Sequence, residues 1–160
     1  MIPSRDRPHI PTGYGITESR DGLLEWERVS SAITTADIYW LSTVGRGGPH
    51  LVPLHATAVD GEVFLSGDDA SRWTRNLTDD QRIQVGLDQD GLQVMVRGAA
   101  ALETPSRERF ELVNGLLKGK YGWSFDEPLP MWIVSPNTVL AFDPDAFAAS
   151  PTRFTFGGSS

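Results

Sequence analysis

Twelve residues that end one predicted strand and open a helix, Ser66-Gly67-Asp68-Asp69-Ala70-Ser71-Arg72-Trp73-Thr74-Arg75-Asn76-Leu77, bring hydroxyls and two guanidinium groups together. A helix N-terminus offers unpaired N–H groups and partial positive charge, and arginine adds a bidentate fork, so the stretch has the donors of a phosphate cradle. Two arginines on a short surface helix are equally compatible with simple solvation, and the segment alone does not separate the two readings. A second stretch, His50-Leu51-Val52-Pro53-Leu54-His55, sets a proline inside a strand. Proline removes a ladder donor there and implies an edge or a break. Either an ordinary barrel edge or a backbone open to a planar ligand satisfies that pattern. His50 and His55 stand five residues apart, on opposite faces of a strand, so they cannot share a metal ion, and no metal site is expected.

Bulk properties narrow the chemistry further. Cysteine is absent, which removes disulfides and thiolate metal sites, and redox chemistry therefore has to come from a cofactor. Fourteen basic residues against twenty-one acidic give a net charge of −7 with no Lys/Arg block. The electrostatic attraction that drives nucleic-acid binding is missing, and neither DNA nor RNA is an expected partner. Nowhere do 18 apolar residues run together, and residues 1 to 22 lack the apolar segment of a secretion signal, so a cytoplasmic protein with no membrane association is expected. With 160 residues, 39% apolar and 22% charged, the chain should form one globular domain. The expected organisation is an N-terminal arm over residues 1–20, rich in Pro and Gly and able to wrap a partner subunit, a domain over 21–156, and a flexible C-terminus over 157–160.

The elements that must position these residues follow from periodicity. Leu23, Trp26, Val29 and Ile33 recur at helical steps and predict a helix over 23–36. The period then falls to two: Tyr39 to Val44, a glycine-rich turn over 45–48, and a strand from His50 to Val59. Asp60-Gly61 turns the chain into Glu62 to Ser66, and Asp68-Asp69 is the expected N-cap of a short helix over 70–77. Ile83, Val85 and Leu87 form one strand, and Asp90-Gly91 leads into a long one over 92–103. Thr104-Pro105 is expected to cap a helix whose face is Phe110, Val113, Leu116 and Leu117. After a loop over 119–130 come strands 131–135 and 138–143, separated by Pro136-Asn137, and a last strand over 152–156. Together these predict a mainly β protein with peripheral helices, an antiparallel Greek-key barrel of six strands.

In this order, the run from Tyr39 to Val44, the glycine turn, Pro49-His50-Leu51-Val52-Pro53-Leu54, Asp60-Gly61, a strand ending in Ser66, and Ser71-Arg72-x-x-Arg75-Asn76-Leu77 form a series. With Lys120-Tyr121-Gly122-Trp123 and the terminal Thr152-Arg153-Phe154-Thr155-Phe156, it resembles the pyridoxamine 5'-phosphate oxidase-like FMN-binding split-barrel superfamily, particularly the branch of deazaflavin (coenzyme F420)-dependent reductases. The resemblance implies a split β-barrel homodimer with two cofactor sites at its interface, holding coenzyme F420 or FMN. It implies that Val52, Pro53 and Leu54 line the ring system, that Ser66, Ser71, Arg72, Arg75 and Asn76 lie near the phosphate or ribityl chain, and that Arg153 and Phe154 approach from the partner. Many relatives carry lysine where this chain has Trp73, and tryptophan cannot supply that charge. The implied reaction is hydride transfer from F420H2 to an unsaturated small molecule, with the proton drawn from solvent, Tyr39 or His55. An FMN-dependent enzyme and a non-catalytic flavin- or haem-binding module are the alternatives.

Overall fold

The computed structural model describes residues 2–157. The expected flexible C-terminus therefore lies, apart from Gly157, outside the described residues. Among the described residues nine strands and three α-helices follow one another: β1 (Ser4–Asp6), α1 (Trp26–Thr35), β2 (Tyr39–Gly45), β3 (Gly48–Leu54), β4 (Thr57–Val59), β5 (Glu62–Leu65), α2 (Arg72–Asp79), β6 (Arg82–Gln89), β7 (Leu92–Glu103), α3 (Arg107–Tyr121), β8 (Met131–Phe142) and β9 (Thr152–Thr155). All pairings are antiparallel, in the order β1-β9-β8-β7-β6-β2-β3, and the β4–β5 hairpin attaches through β5 to β8. The pairing does not close into a ring. Hydrogen bonding stops at β3, and the chain itself turns the corner from β3 into β4 at His55-Ala56.

Alternation explains the core. Along β2 the side chains of Tyr39, Leu41 and Thr43 are buried while Trp40 and Val44 are exposed, and β6 and β7 repeat the pattern. The inward sets, with Val29, Ala32 and Ile33 of α1 and Trp73 and Leu77 of α2, form the main core. A smaller cluster of Phe64, Val113, Leu117, Met131 and Ile133 seats α3 on the outer side of β5 and β8. Both Asp-Gly turns adopt the two consecutive positive φ angles of a tight hairpin: Asp60 at 52° and Gly61 at 82°, Asp90 at 52° and Gly91 at 73°. Among the described residues no helix is long and apolar enough to cross a membrane.

Several expectations are corrected. Among the described residues there are nine strands rather than six. One comes from the arm, where residues 4–6 pair with β9 of the same chain, Arg5 opposite Phe154. Another comes from the division of 50–59 at His55-Ala56. Pro136-Asn137 does not split the following strand. Arg97 pairs with Thr138 and Gly98 with Pro136, so Asn137 is the extra residue of a bulge, a position where proline's missing donor is tolerated. The first helix begins at Trp26, with Glu25 as its N-cap, rather than at Leu23. The cap of α2 is Ser71 rather than Asp68-Asp69, because the Asp68 carboxylate accepts instead from the Ala70 N–H at 2.7 Å. Ser106, not Thr104, caps α3 and accepts from the Arg109 N–H.

Candidate functional site

The β2–β3 turn brings Gly45 and Gly48 opposite each other, and α2 packs beneath it. Between them opens a cleft of about 300 Å³ lined by Gly45, Gly48, Pro49, His50, Arg72 and Asn76. Each wall has a local cause. Asn76 lies on the buried face of α2 with Trp73, Thr74 and Leu77. It is only 6% exposed, and its amide donates to Thr43 Oγ1 at 3.1 Å. Thr43 is the register partner of His50, which sets the imidazole on the same side of the strand pair as Asn76. Gly45 is required by proximity: a Cβ there would stand 2.3 Å from Asn76 Oδ1. Arg72 is exposed at the first position of α2. The ion pairs among the described residues engage Arg5, Arg28, Arg82, Arg109 and Arg153, and Arg72 is in none of them. The Ser71 side chain makes no capping bond, so it does not occupy the N–H groups of the first turn. No carboxylate lines the cleft. The result is a concave, donor-rich surface beside a helix start, suited to an anion.

The predicted residues separate into groups. Arg72 and Asn76 meet in the cleft, while Ser66, Ser71 and Arg75 do not line it: Ser66 follows β5 half-buried, Ser71 is the half-buried N-cap, and Arg75 is exposed. Val52 and Leu54 are half-buried against the main core, with Pro53 exposed between them. Trp73 points the other way, into the core at 3% exposure, where its indole covers Gly67 so closely that a Cβ there would lie 2.3 Å from the ring. The tryptophan is thus a packing residue one position after the arginine that faces the cleft.

Three further residues of the expected set are engaged within the chain. Phe154 is fully buried, its ring 5.2 Å from that of Trp26, and has no surface for a ligand. Arg153 is held by the Asp6 carboxylate of β1, with its Nε donating at 2.9 Å. Tyr39 is fully buried and donates to the Ile33 carbonyl at 2.5 Å, and burial raises its phenol far above the ordinary range. His55 remains accessible, its ring stacked 4.1 Å from that of Tyr121.

Lys120 was not singled out as a functional residue in the sequence. From α3 its ammonium donates to the carbonyls of Thr34 (3.1 Å), Ala36 (2.7 Å) and Ala56, and to Tyr39 Oη at 2.9 Å. It ties the end of α1 to the β3–β4 corner. Burial lowers its pKa to about 8, opposed by the charge of Asp37. Tyr121 braces the same corner, donating to Asp37 O at 2.7 Å and accepting from the Ala56 N–H at 3.2 Å. The available signal was compositional: Lys118 and Lys120 are the chain's only lysines, and the second sits beside an aromatic residue.

No protein-family description and no curated protein matches this sequence. Solved structures do match it. The conserved hypothetical protein Rv2991 of Mycobacterium tuberculosis is similar at a TM-score of 0.65 and 18% identity, over 89% of this chain and 99% of that one. A Listeria innocua protein named for pyridoxamine 5'-phosphate oxidase is similar at 0.56 and 13%, over 71% of this chain and 94% of its own. An F420 reductase is similar at 0.54 and 14%, over 69% and 94%. These likenesses show a shared fold, a mainly β chain built on a sheet of antiparallel strands.

Proposed function

We propose that the protein is an oxidoreductase that binds coenzyme F420, or alternatively FMN, and reduces an unsaturated small molecule. The observation that carries this reading is the carboxylate-free cleft between the β2–β3 turn and α2, which holds an arginine outside any ion pair and a buried, oriented amide. That donor set fits the phosphate end of a flavin or deazaflavin. A bound reduced cofactor supplies the hydride, and the protein supplies binding, orientation and exclusion of water. Arg72 and Asn76 anchor the anionic end. Val52 and Leu54, pinned against the core, fix the backbone of β3, and Pro53 leaves that strand without one N–H. His55, exposed at the corner and stacked on Tyr121, is the side chain best placed to hold a proton for the reduced product. In this reading the active molecule is a cytoplasmic homodimer with cofactor sites at its interface. Exposed Trp40 and Leu51 on the outer face of β2 and β3, and Met95 on β7, support such a contact.

A second reading, a module that holds flavin or haem without turnover, is favoured by Trp73. Its buried indole leaves the α2 segment without the lysine that many relatives of the resembled family carry.

The test is a titration of purified protein with oxidised and reduced deazaflavin and with FMN, followed by tryptophan quenching and repeated on Arg72→Ala. Binding of one cofactor, weakened tenfold or more by the substitution, supports the proposal, since a charge-assisted hydrogen bond contributes about 1.5 to 3 kcal/mol. Absence of binding by either cofactor overturns it.

A further inference from the structure

Lys120 reaches from α3 into surroundings built by three other parts of the chain. The end of α1 supplies the carbonyls of Thr34 (3.1 Å) and Ala36 (2.7 Å), the β3–β4 corner supplies that of Ala56, and β2 supplies Tyr39 Oη at 2.9 Å. The Tyr39 hydroxyl donates its own proton to the Ile33 carbonyl, so toward the lysine it accepts. The ammonium also lies 4.7 Å from the centroid of the Tyr39 ring and 5.0 Å from that of Tyr121. Each of these contacts favours positive charge. Carbonyls in the last turn of a helix carry partial negative charge, α1 has no basic residue of its own there, and aromatic faces attract a cation. The charge of exposed Asp37 acts in the same direction.

An ammonium brings three protons to these four oxygens, whereas a neutral amine brings two protons and a lone pair that would be turned on an oxygen. A lysine that attacks a substrate needs that lone pair free and facing outward. Here it would face acceptors. Uncharged oxygens of this kind suit a monovalent cation, while divalent ions draw on carboxylates. We propose that the junction of α1, β2 and the β3–β4 corner is a monovalent-cation site of the carbonyl type, which the chain fills with its own Lys120 ammonium and which takes free ammonium or potassium when that side chain is removed. Lys120 is then a tethered ligand and not a reactive amine. The proposal is independent of the cofactor reading, and no flavin enters its test.

The test compares wild type, Lys120→Ala, which empties the site, and Lys120→Met, whose stem still fills the approach without charge. Thermal midpoints are followed by circular dichroism in the chlorides of ammonium, potassium and tetramethylammonium at equal ionic strength. The midpoint of Lys120→Ala should lie below that of wild type and rise saturably, by about 4 °C once ammonium or potassium exceeds its dissociation constant tenfold. Tetramethylammonium is too large for the cage and should give no such rise. Wild type and Lys120→Met should not distinguish the salts. Equal midpoints of Lys120→Ala in all of them overturn the proposal. So does a Lys120→Met variant that distinguishes them as strongly as Lys120→Ala, since the effect then lies outside the cage. Where Lys120→Ala is unfolded in tetramethylammonium chloride, the same spectra read its refolding by ammonium or potassium, and failure to refold in either overturns the proposal. The wild type supplies a second measurement. Lys118, the chain's other lysine, is exposed, so acetic anhydride at pH 7 should acetylate it about tenfold faster than Lys120, as read by peptide mass spectrometry. Equal rates identify a free amine and overturn the tethered-ligand role.

Discussion

The surroundings of Arg72, Asn76 and Lys120 differ in how far they can be read from the sequence. Arg72 and Asn76 were legible because hydroxyls, guanidinium groups and a helix start coincide in twelve residues. Lys120 was not, because its partners are carbonyls at the end of α1 and at a strand corner, and a backbone acceptor leaves no trace in a side-chain pattern. Replacing it with methionine should cost about 1 to 3 kcal/mol at pH 7, since Thr34, Ala36 and Ala56 lose a buried donor. The effect also has a pH signature. The lysine is depressed to about 8 in the folded protein from an ordinary 10.5, so between those values the unfolded chain binds a proton that the folded chain does not. Wild-type stability relative to Lys120→Met should therefore rise from pH 8 toward pH 10.5 and stay level below pH 8, which urea denaturation at pH 7, 8 and 10 checks. The burial of Tyr39 and Phe154 was hidden for a related reason. Strand alternation says that a residue faces one side or the other, and only the closed-up core says that this side is dry.

At the scale of elements, the strands and both Asp-Gly hairpins could be read directly, because alternation and turn chemistry are local. What could not be read was how the chain handles irregularity. Pro136-Asn137 looks like a terminator, yet β8 continues through it because β7 offers Gly98 at the crossing point. A Cβ on that glycine would lie 2.1 Å from Ser135 O and 2.9 Å from its carbonyl carbon. Gly98→Ala must therefore push the strands apart at the bulge, and we expect a loss of more than about 2 kcal/mol with the urea m-value unchanged. Gly67 and Trp73 form a similar pair, in which the absence of a side chain on one residue makes room for the largest side chain on the other. This pairing accounts for a tryptophan at a site where charge was expected: the indole packs inward and leaves the cleft to Arg72.

Considered whole, the sheet carries an unbalanced outer face. Trp40 is 47% exposed, Leu51 62% and Met95 39%, and they stand on the outward side of four neighbouring strands, β3, β2, β6 and β7, with Gly86 of β6 between Trp40 and Met95 in register. Apolar side chains gathered in this way suit the contact proposed between two copies. If that contact joins two copies, Trp40→Glu should shift the sedimentation of the protein from dimer to monomer, and flavin binding should fall with it where the site is shared. The pairing of β1 with β9 was not anticipated, because residues 4–6 show no strand period and their partners lie nearly 150 positions away. Arg7 reinforces the join by donating to the Ala149 and Pro151 carbonyls, each at 2.7 Å. During synthesis, then, the three residues of β1 find no partner until 152–155 have been made. A chain that stops before 152–155 leaves β1 without the strand it pairs with and β8 without its β9 neighbour.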